Sequence, residues 1–267
     1  EQYLQAVVKR FGLSGRSHVV EVASNDGYLL QYVKQRGISC LGVEPTAGTA
    51  AAARLKGIET LEEFFGVGLA QKLAAQGRQA DLMVANNVLA HVPDINDFVK
   101  GFAILLKPHG VATFEFPHLM QLIEQKQFDT IYHEHFSYLS FRTVNHIFRA
   151  NGLSVFDVEE LDTHGGSLRV FAQRADAGTQ AVSKKVADLL DREAAVGMDK
   201  AAYYCGFQEQ ANKVKNDFLA FLLEAAREGK AVAGYGAAAK GNTLLNYAGV
   251  RPDLLPYVVD KNPNKQG

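Results

Sequence analysis

"VVEVASNDGYLL" (residues 19–30) sets three valines around Glu21, then breaks into a small, polar, glycine-bearing turn before a leucine-rich helical pattern begins. A β-branched apolar run that passes through such a turn into a helix is a strand–loop–helix unit. The arrangement brings backbone N–H groups and a helix amino terminus to a ligand, and Gly27 is expected because a Cβ there would crowd that ligand. Glu21, Ala23, Asn25 and Gly27 are the expected ligand-facing positions. The pattern G-x-G-x-x-G is missing, which argues against a pyrophosphate cradle in this half. About twenty residues on, "GVEP" puts Glu44 at the end of the next strand, where a carboxylate accepts hydrogen bonds from the two hydroxyls of a ribose.

Working outward, short apolar runs alternate with helical patterns, the signature of βαβ units and a parallel sheet. The expected strands are 18–23, 40–44, 80–85 and 110–116, with helices over 27–37, 47–57 and 95–110, the last closed by Pro108–His109–Gly110. These units form an open, doubly wound α/β sheet. After a helix ending at Gly152, "LSVFDVEEL" (153–161) and "GSLRVFAQR" (166–174) flank a "THGG" turn and read as an antiparallel pair at the sheet's edge. The first domain is expected over 1–176. Residues 177–229 read as a helical connector, with Phe207, Ala211, Val214, Phe218, Phe221 and Leu222 at core-contact spacing. Residues 230–267 read as the start of a second, smaller Rossmann-like α/β domain that stops short.

Composition narrows the function classes. The formal charge of −1, with scattered lysines and arginines, gives no footprint for nucleic acid or an anionic membrane. Cys40 and Cys205 are too few for a disulfide framework or an all-cysteine zinc site, and no apolar run reaches the ~18 residues of a membrane span. A reducing cytoplasm fits best. The first residue is Glu, and the chain reads as a piece of a longer protein.

Three further motifs carry chemistry. "IYHEHFSYLS" (131–140) sets His133 and His135 around Glu134 beside Tyr132. If the segment is a strand, the histidines share one face and the glutamate takes the other, with no third ligand nearby, so no metal is expected. In "GGSLR" (165–169), Gly165 and Gly166 allow close approach and Arg169 suits a phosphate. "GYGAAAKGN" (234–242) is a second glycine loop, in which Gly234, Gly236, Lys240 and Asn242 would neutralise and cradle a diphosphate.

With "ADLMVANNVLAHVPD" (80–94) and its Asn86–Asn87 turn, the strand–loop–acid pattern resembles the class I S-adenosylmethionine-dependent methyltransferases over about residues 17–175. The loop departs from the family's commoner form in holding one glycine. "EVASNDGYLL", "NNVLAHV", "YHEHFSYLS", "GGSLR" and "GYGAAAKGNTLLN", in that order, look like the sugar C-methyltransferases, above all the nucleotide-diphospho-4-keto-deoxysugar C-3-methyltransferases. The resemblance implies S-adenosyl-L-methionine as cofactor, held by the 21–27 loop, Glu44, Asn86 and Asn87, with S-adenosyl-L-homocysteine as product. It implies a nucleotide-diphospho-sugar as the partner molecule. It also implies His135 as general base, Glu134 and Tyr132 as substrate-positioning or acid–base partners, and His91 as a further active-site group. The resemblance further implies an amino-terminal zinc-binding domain with cysteine ligands, expected to lie outside this sequence, with zinc expected only there if the full protein carries it. A histidine suits removal of the C3 proton beside a 4-ketone, and a tyrosine hydroxyl or second imidazole suits the developing oxyanion. Methylation at C3 or C5 stays open, as do another small carbonyl acceptor and a catalytically silent cofactor-binding piece. So does an NAD-dependent sugar-nucleotide oxidoreductase using the 231–260 fold with Asp260 as its ribose acid.

Overall fold

The computed structural model describes residues 1–262 and Lys265. The chain divides into two compact units, Glu1–His118 with Phe136–Ala195, and Leu119–His135 with Val196–Gly267. Pro263, Asn264, Gln266 and Gly267, the end of the 230–267 segment, lie outside the described residues.

The first unit is built on a seven-stranded sheet of β1 (His18–Val22), β2 (Ser39–Val43), β3 (Thr60–Leu61), β4 (Ala80–Asn86), β5 (Leu106–Pro117), β6 (Leu153–Leu161) and β7 (Ser167–Arg174). Their spatial order is β3-β2-β1-β4-β5-β7-β6. Strands β1 to β5 run parallel, while β7 is antiparallel to both β5 and β6. The order reverses between β1 and β4, and in open α/β sheets ligands bind beyond the strands' carboxyl ends at that switch point.

Helices cover both faces, so the central strands read as continuous apolar runs. In β4, Leu82, Met83, Val84 and Ala85 are all fully buried. One face packs beneath α4 (Val67–Ala75), α5 (Ile95–Leu105), α7 (Phe141–Ala150) and α8 (Lys184–Ala195). Phenylalanine rings stitch it together: Phe102 meets Phe114 at 4.5 Å, and Phe114 meets Phe148 at 4.6 Å. The other face lies under α1 (Gln2–Phe11) and α2 (Leu30–Gln35), with Leu4, Val7 and Val33 against Val19, Val84 and Phe171. Helix α3 (Ala47–Leu55) follows β2. Helix starts follow their capping chemistry: Asp94 accepts from the N–H groups of Asn96 and Asp97 at α5, and Ser140 Oγ from Thr143 N–H at α7.

Two expectations change. The 95–110 helix stops at Leu105, and residues 106–110 belong to β5, whose pairing with β4 shifts register between Ala80↔Leu106 and Leu82↔Val111. Gln79 bridges this junction, its amide donating to the carbonyls of Ile104 and Leu106. Phe221 is 59% exposed rather than in the core, while Ala211 and Leu222 are buried.

The second unit holds α6 (Leu119–Glu124), α9 (Phe207–Arg227), α10 (Ala239–Ala248) and a parallel pair of two-residue strands, β8 (Gly234–Tyr235) and β9 (Val258–Val259). Phe128 and Tyr247 lie with ring centroids 5.0 Å apart, and the Tyr247 hydroxyl bonds Gln208 at 2.7 Å and Asn212 at 2.5 Å.

Candidate active site

The loop after β1 takes its shape from backbone conformations that side chains rarely adopt. Ala23, Asn25 and Gly27 have φ of 55°, 53° and 75°. Such non-glycine residues persist only where surroundings hold them, and they concentrate at functional sites. Glu44, buried just beyond β2, is what holds this loop. Its Oε2 accepts from Asn25 N–H at 3.1 Å and its Oε1 from Thr46 N–H at 2.9 Å. The fold gives Gly27 a reason beyond the sequence expectation: a Cβ there would lie 2.4 Å from Ile58 Cδ1, inside the fold, and the backbone is left-handed.

On the face under α1 and α2, the strands turn from apolar to polar as they approach their carboxyl ends. Side chains two apart share a face, so Val19 gives way to Glu21 on β1, Val84 to Asn86 on β4, and Val111 to Thr113 and Glu115 on β5. Register sets these residues side by side, with Glu21 paired to Val84, Val84 to Thr113, and Asn86 to Glu115. Glu21 is 1% exposed, and burial, with the negative charge of Asp26, pushes its carboxyl well above the usual range. Glu21 Oε2, Ser24 Oγ, Asn86 Oδ1 and Asn87 Oδ1 are buried without a hydrogen-bond partner among the described residues. Asn87 has φ 54°, and its N–H donates to Glu115 O at 2.7 Å, which presents the turn before the short helix Leu89–His91. His91 is half-buried at the end of that turn.

Thr113, Glu115 and Tyr3 complete the polar row, and sequence reasoning missed all three. The available signal was Glu115 standing between two phenylalanines in an otherwise apolar strand. Tyr3 reaches down from α1 to share a 2.5 Å hydrogen bond with Thr113 Oγ1, and burial pushes its phenol far above its usual value. Arg169 on β7 donates to Glu115 Oε2 at 2.7 Å and to Glu159 Oε2 at 3.4 Å, with its guanidinium 4.6 Å from the Tyr3 ring centroid. Its Nε has no partner among the described residues. Gly165 and Gly166 have φ of 82° and 111° and form the tight connection from β6 into β7.

In the second unit, residues 131–135 form a turn rather than a strand, so alternation of faces does not apply to His133, Glu134 and His135. Thr130 O accepts a hydrogen bond from His135 Nδ1 at 2.8 Å. A carbonyl only accepts, so the neutral ring carries its proton on Nδ1 and its basic lone pair on Nε2. Tyr132 stacks on the imidazole, centroid to centroid 4.4 Å, and burial, with Glu134 and Asp129, raises its phenol pKa. Glu134 and His133 are exposed.

The second glycine loop repeats the logic of the first. Asp260, just beyond β9, accepts from Ala237 N–H and from Asn262 N–H, both at 2.7 Å. These two bonds hold its carboxyl below the usual range. Gly234 lets β8 close on β9, since a Cβ would lie 2.9 Å from Val258 Cγ2, and Gly236 has φ 97°. Lys240 and Asn242 lie in the first turns of α10.

Comparison with known proteins matches residues 1–158 to the methyltransferase domain family and residues 162–267 to the C-methyltransferase C-terminal domain family. The chain is 36% identical over 260 residues to C-methyltransferase NovU of Streptomyces niveus, covering 97% of this chain and 62% of that protein. It is 32% identical over 104 residues to the ubiquinone biosynthesis O-methyltransferase of Bordetella avium, covering 38% of this chain and 43% of that one. Among solved structures, magnesium protoporphyrin IX methyltransferase (ChlM) of Synechocystis PCC 6803 with bound SAH superposes with a TM-score of 0.52 at 16% identity, over 65% of this chain and 80% of that chain. The PH0226 protein of Pyrococcus horikoshii gives 0.52 at 14% identity, over 65% and 92%. These two likenesses are likenesses of fold.

Proposed function

Because the chain belongs to the S-adenosylmethionine-dependent C-methyltransferase family, we propose that it methylates the carbon beside the ketone of a nucleotide-diphospho-4-keto-deoxysugar, at C3. The observation that carries the reading is the set of unpartnered buried polar atoms at the β1/β4 switch point, Glu21 Oε2, Ser24 Oγ, Asn86 Oδ1 and Asn87 Oδ1. Buried polar groups are almost always satisfied, and a cluster left open calls for a ligand or ordered water. The residues fit S-adenosylmethionine: Glu44 has acceptor capacity left for ribose hydroxyls, and the strained 23–27 loop presents backbone and Asn25 to the rest.

When bound, S-adenosylmethionine supplies a methyl group already activated by its sulfonium. The chain's own work is then to make a carbanion and align it. His135 Nε2, made the basic nitrogen by the Nδ1–H bond to Thr130 O, takes the C3 proton. Tyr132, a phenol that burial raises further above its ordinary value, donates to the enolate oxygen. Glu134 and His91 orient the sugar. Gly234, Gly236, Lys240 and Asn242 of the second glycine loop receive the diphosphate, while Gly165, Gly166 and Arg169 of the first unit remain substrate-binding candidates in their own right. The proposed division of labour follows these sites, with a methyl-donor domain over 1–176, a helical connector over 177–229 and an acceptor domain from 230. The free thiols Cys40 and Cys205 accord with a cytoplasmic setting, and no helix among the described residues is long and apolar enough to cross a membrane.

The test is deuterium uptake at C3 of a 4-keto sugar nucleotide in D2O. The wild type is expected to exchange and His135→Asn to slow exchange by ~10²–10⁴-fold while retaining S-adenosylhomocysteine affinity. Equal exchange by both proteins would remove His135 from the mechanism.

A further inference from the structure

The segment carrying Tyr132, Glu134 and His135 is an excursion: the chain leaves the first unit after His118 and rejoins it at Phe136. Both ends of that excursion meet a side chain that the methylation chemistry does not use. Glu193 stands on α8 with its side chain 0% exposed. Its Oε1 accepts from His118 Nε2 at 2.7 Å and from Phe141 N–H at 2.6 Å, and its Oε2 accepts from Arg142 N–H at 2.8 Å. His118 is the last residue before the excursion, and Phe141 and Arg142 open α7 shortly after it. Backbone contacts draw the same neck together. His118 bridges Leu139, His118 N–H donates to Gly166 O at 3.0 Å, and Phe136 N–H donates to Ala90 O, beside His91, at 2.8 Å.

A buried carboxylate is costly unless several donors meet it, and well-packed apolar residues often serve stability as well. The same helix buries Val186 and Leu189 without polar help. What the carboxylate adds is direction, because its three donors come from the two flanks of one excursion and fix both at once. The negative charge also suits the amino terminus of α7. We propose that Glu193 is a positioning residue, which closes the neck of the 119–135 excursion and so fixes the points from which His135 is presented for proton abstraction. The inference rests on His135 as the base.

The experiment measures amide hydrogen exchange and steady-state kinetics on wild type, Glu193→Gln and His118→Gln. Glu193→Gln keeps the length but turns an N–H donor toward at least one of the three donors. His118→Gln spares the two backbone bonds and serves if the first variant does not fold. Amides of residues 119–139 are expected to exchange at least about tenfold faster, the factor that one lost charge-assisted hydrogen bond is worth. Amides of β1 and β4 should hold, kcat should fall about tenfold or more with KM changed less than about threefold, and S-adenosylhomocysteine should bind as before. Unchanged exchange over 119–139, acceleration spread evenly through β1 and β4, or local acceleration with an unchanged kcat would each overturn the inference. A wild type without turnover overturns the functional reading itself and the inference with it, and is told apart because no variant is needed to see it.

Discussion

Replacing Glu44 by Gln tests the residue proposed to hold the methyl-donor loop and its ribose. The wild-type carboxylate is buried and accepts two backbone N–H bonds, from Asn25 at 3.1 Å and Thr46 at 2.9 Å. A glutamine of the same length keeps one acceptor oxygen and sets an NH₂ group against the other N–H. The variant therefore loses one charge-assisted hydrogen bond, worth about 1.5–3 kcal/mol. Asn25 stands at φ 53°, so the bond that disappears is one holding the loop in a conformation it does not otherwise favour. Binding must then restore that order as well as forgo a charged partner for the ribose. A Kd for S-adenosylhomocysteine raised about 10- to 100-fold is expected, corresponding to about 1.4–2.8 kcal/mol. Isothermal titration calorimetry reads the Kd, and thermal unfolding of the same sample reports the folded fraction. A folded variant with a Kd within about threefold of wild type would refute both the loop-holding role and the ribose role of Glu44.

Arg169→Met should strand the Glu115 carboxylate under α1 and destabilise the first unit by about 3–5 kcal/mol, visible as a lower denaturant midpoint, whereas a midpoint within experimental scatter would mean that the bond Glu115 Oε1 accepts from Thr163 Oγ1 at 3.1 Å suffices. Gly27→Ala must accept a Cβ 2.4 Å from Ile58 Cδ1 at φ 75°, so a loss of about 1–3 kcal/mol is expected, with part of it recovered when Ile58→Val opens the contact. No recovery would shift the cause to the backbone alone. Stability should also depend on pH from both sides. Burial pushes Glu193 up, but the hydrogen bonds from His118 and from the Arg142 and Phe141 N–H groups overcome it and hold the carboxyl below its usual range. Its contribution is thus present above the ordinary carboxylate pKa and disappears as pH falls through the depressed value. Glu21 behaves oppositely, being raised by burial and by Asp26, so its contribution is full below the ordinary carboxylate pKa and is lost as pH rises through the raised value. Melting temperature against pH should therefore gain at neutral relative to acid pH in Glu21→Gln, and a parallel offset at all pH values would contradict the raised carboxyl.

The parallel core was legible because its strands obey one rule: where helices cover both faces, the runs at Val19–Val22 and Leu82–Ala85 need no polar alternation. The acid at the end of β2 was legible from spacing alone. Residues 106–110 were not, since Pro108–His109–Gly110 carries every local mark of a helix stop, and only the Gln79 bridge and the β4 register reveal a strand already under way. Gly27 was found for an incomplete reason, because the Ile58 side chain that it must admit lies thirty-one positions away in sequence (58 − 27) and cannot be read locally. The same limit hid Tyr3 and Thr113, whose partnership joins the first helix to the fifth strand. Alternation also misled at 131–135, where a turn places the histidines. Sequence patterns report short-range conformation well, whereas polar partnerships across the sheet depend on register, which appears only once the strands are paired.

The most direct measurement is mass spectrometry of the product formed from methyl-labelled S-adenosylmethionine and a dTDP-4-keto-6-deoxyhexose. The sugar fragment is expected to gain one labelled methyl that survives mild hydrolysis of the nucleotide, with the label on C3. A label that appears on oxygen, or a sugar that gains none while the cofactor binds, would contradict C3 methylation.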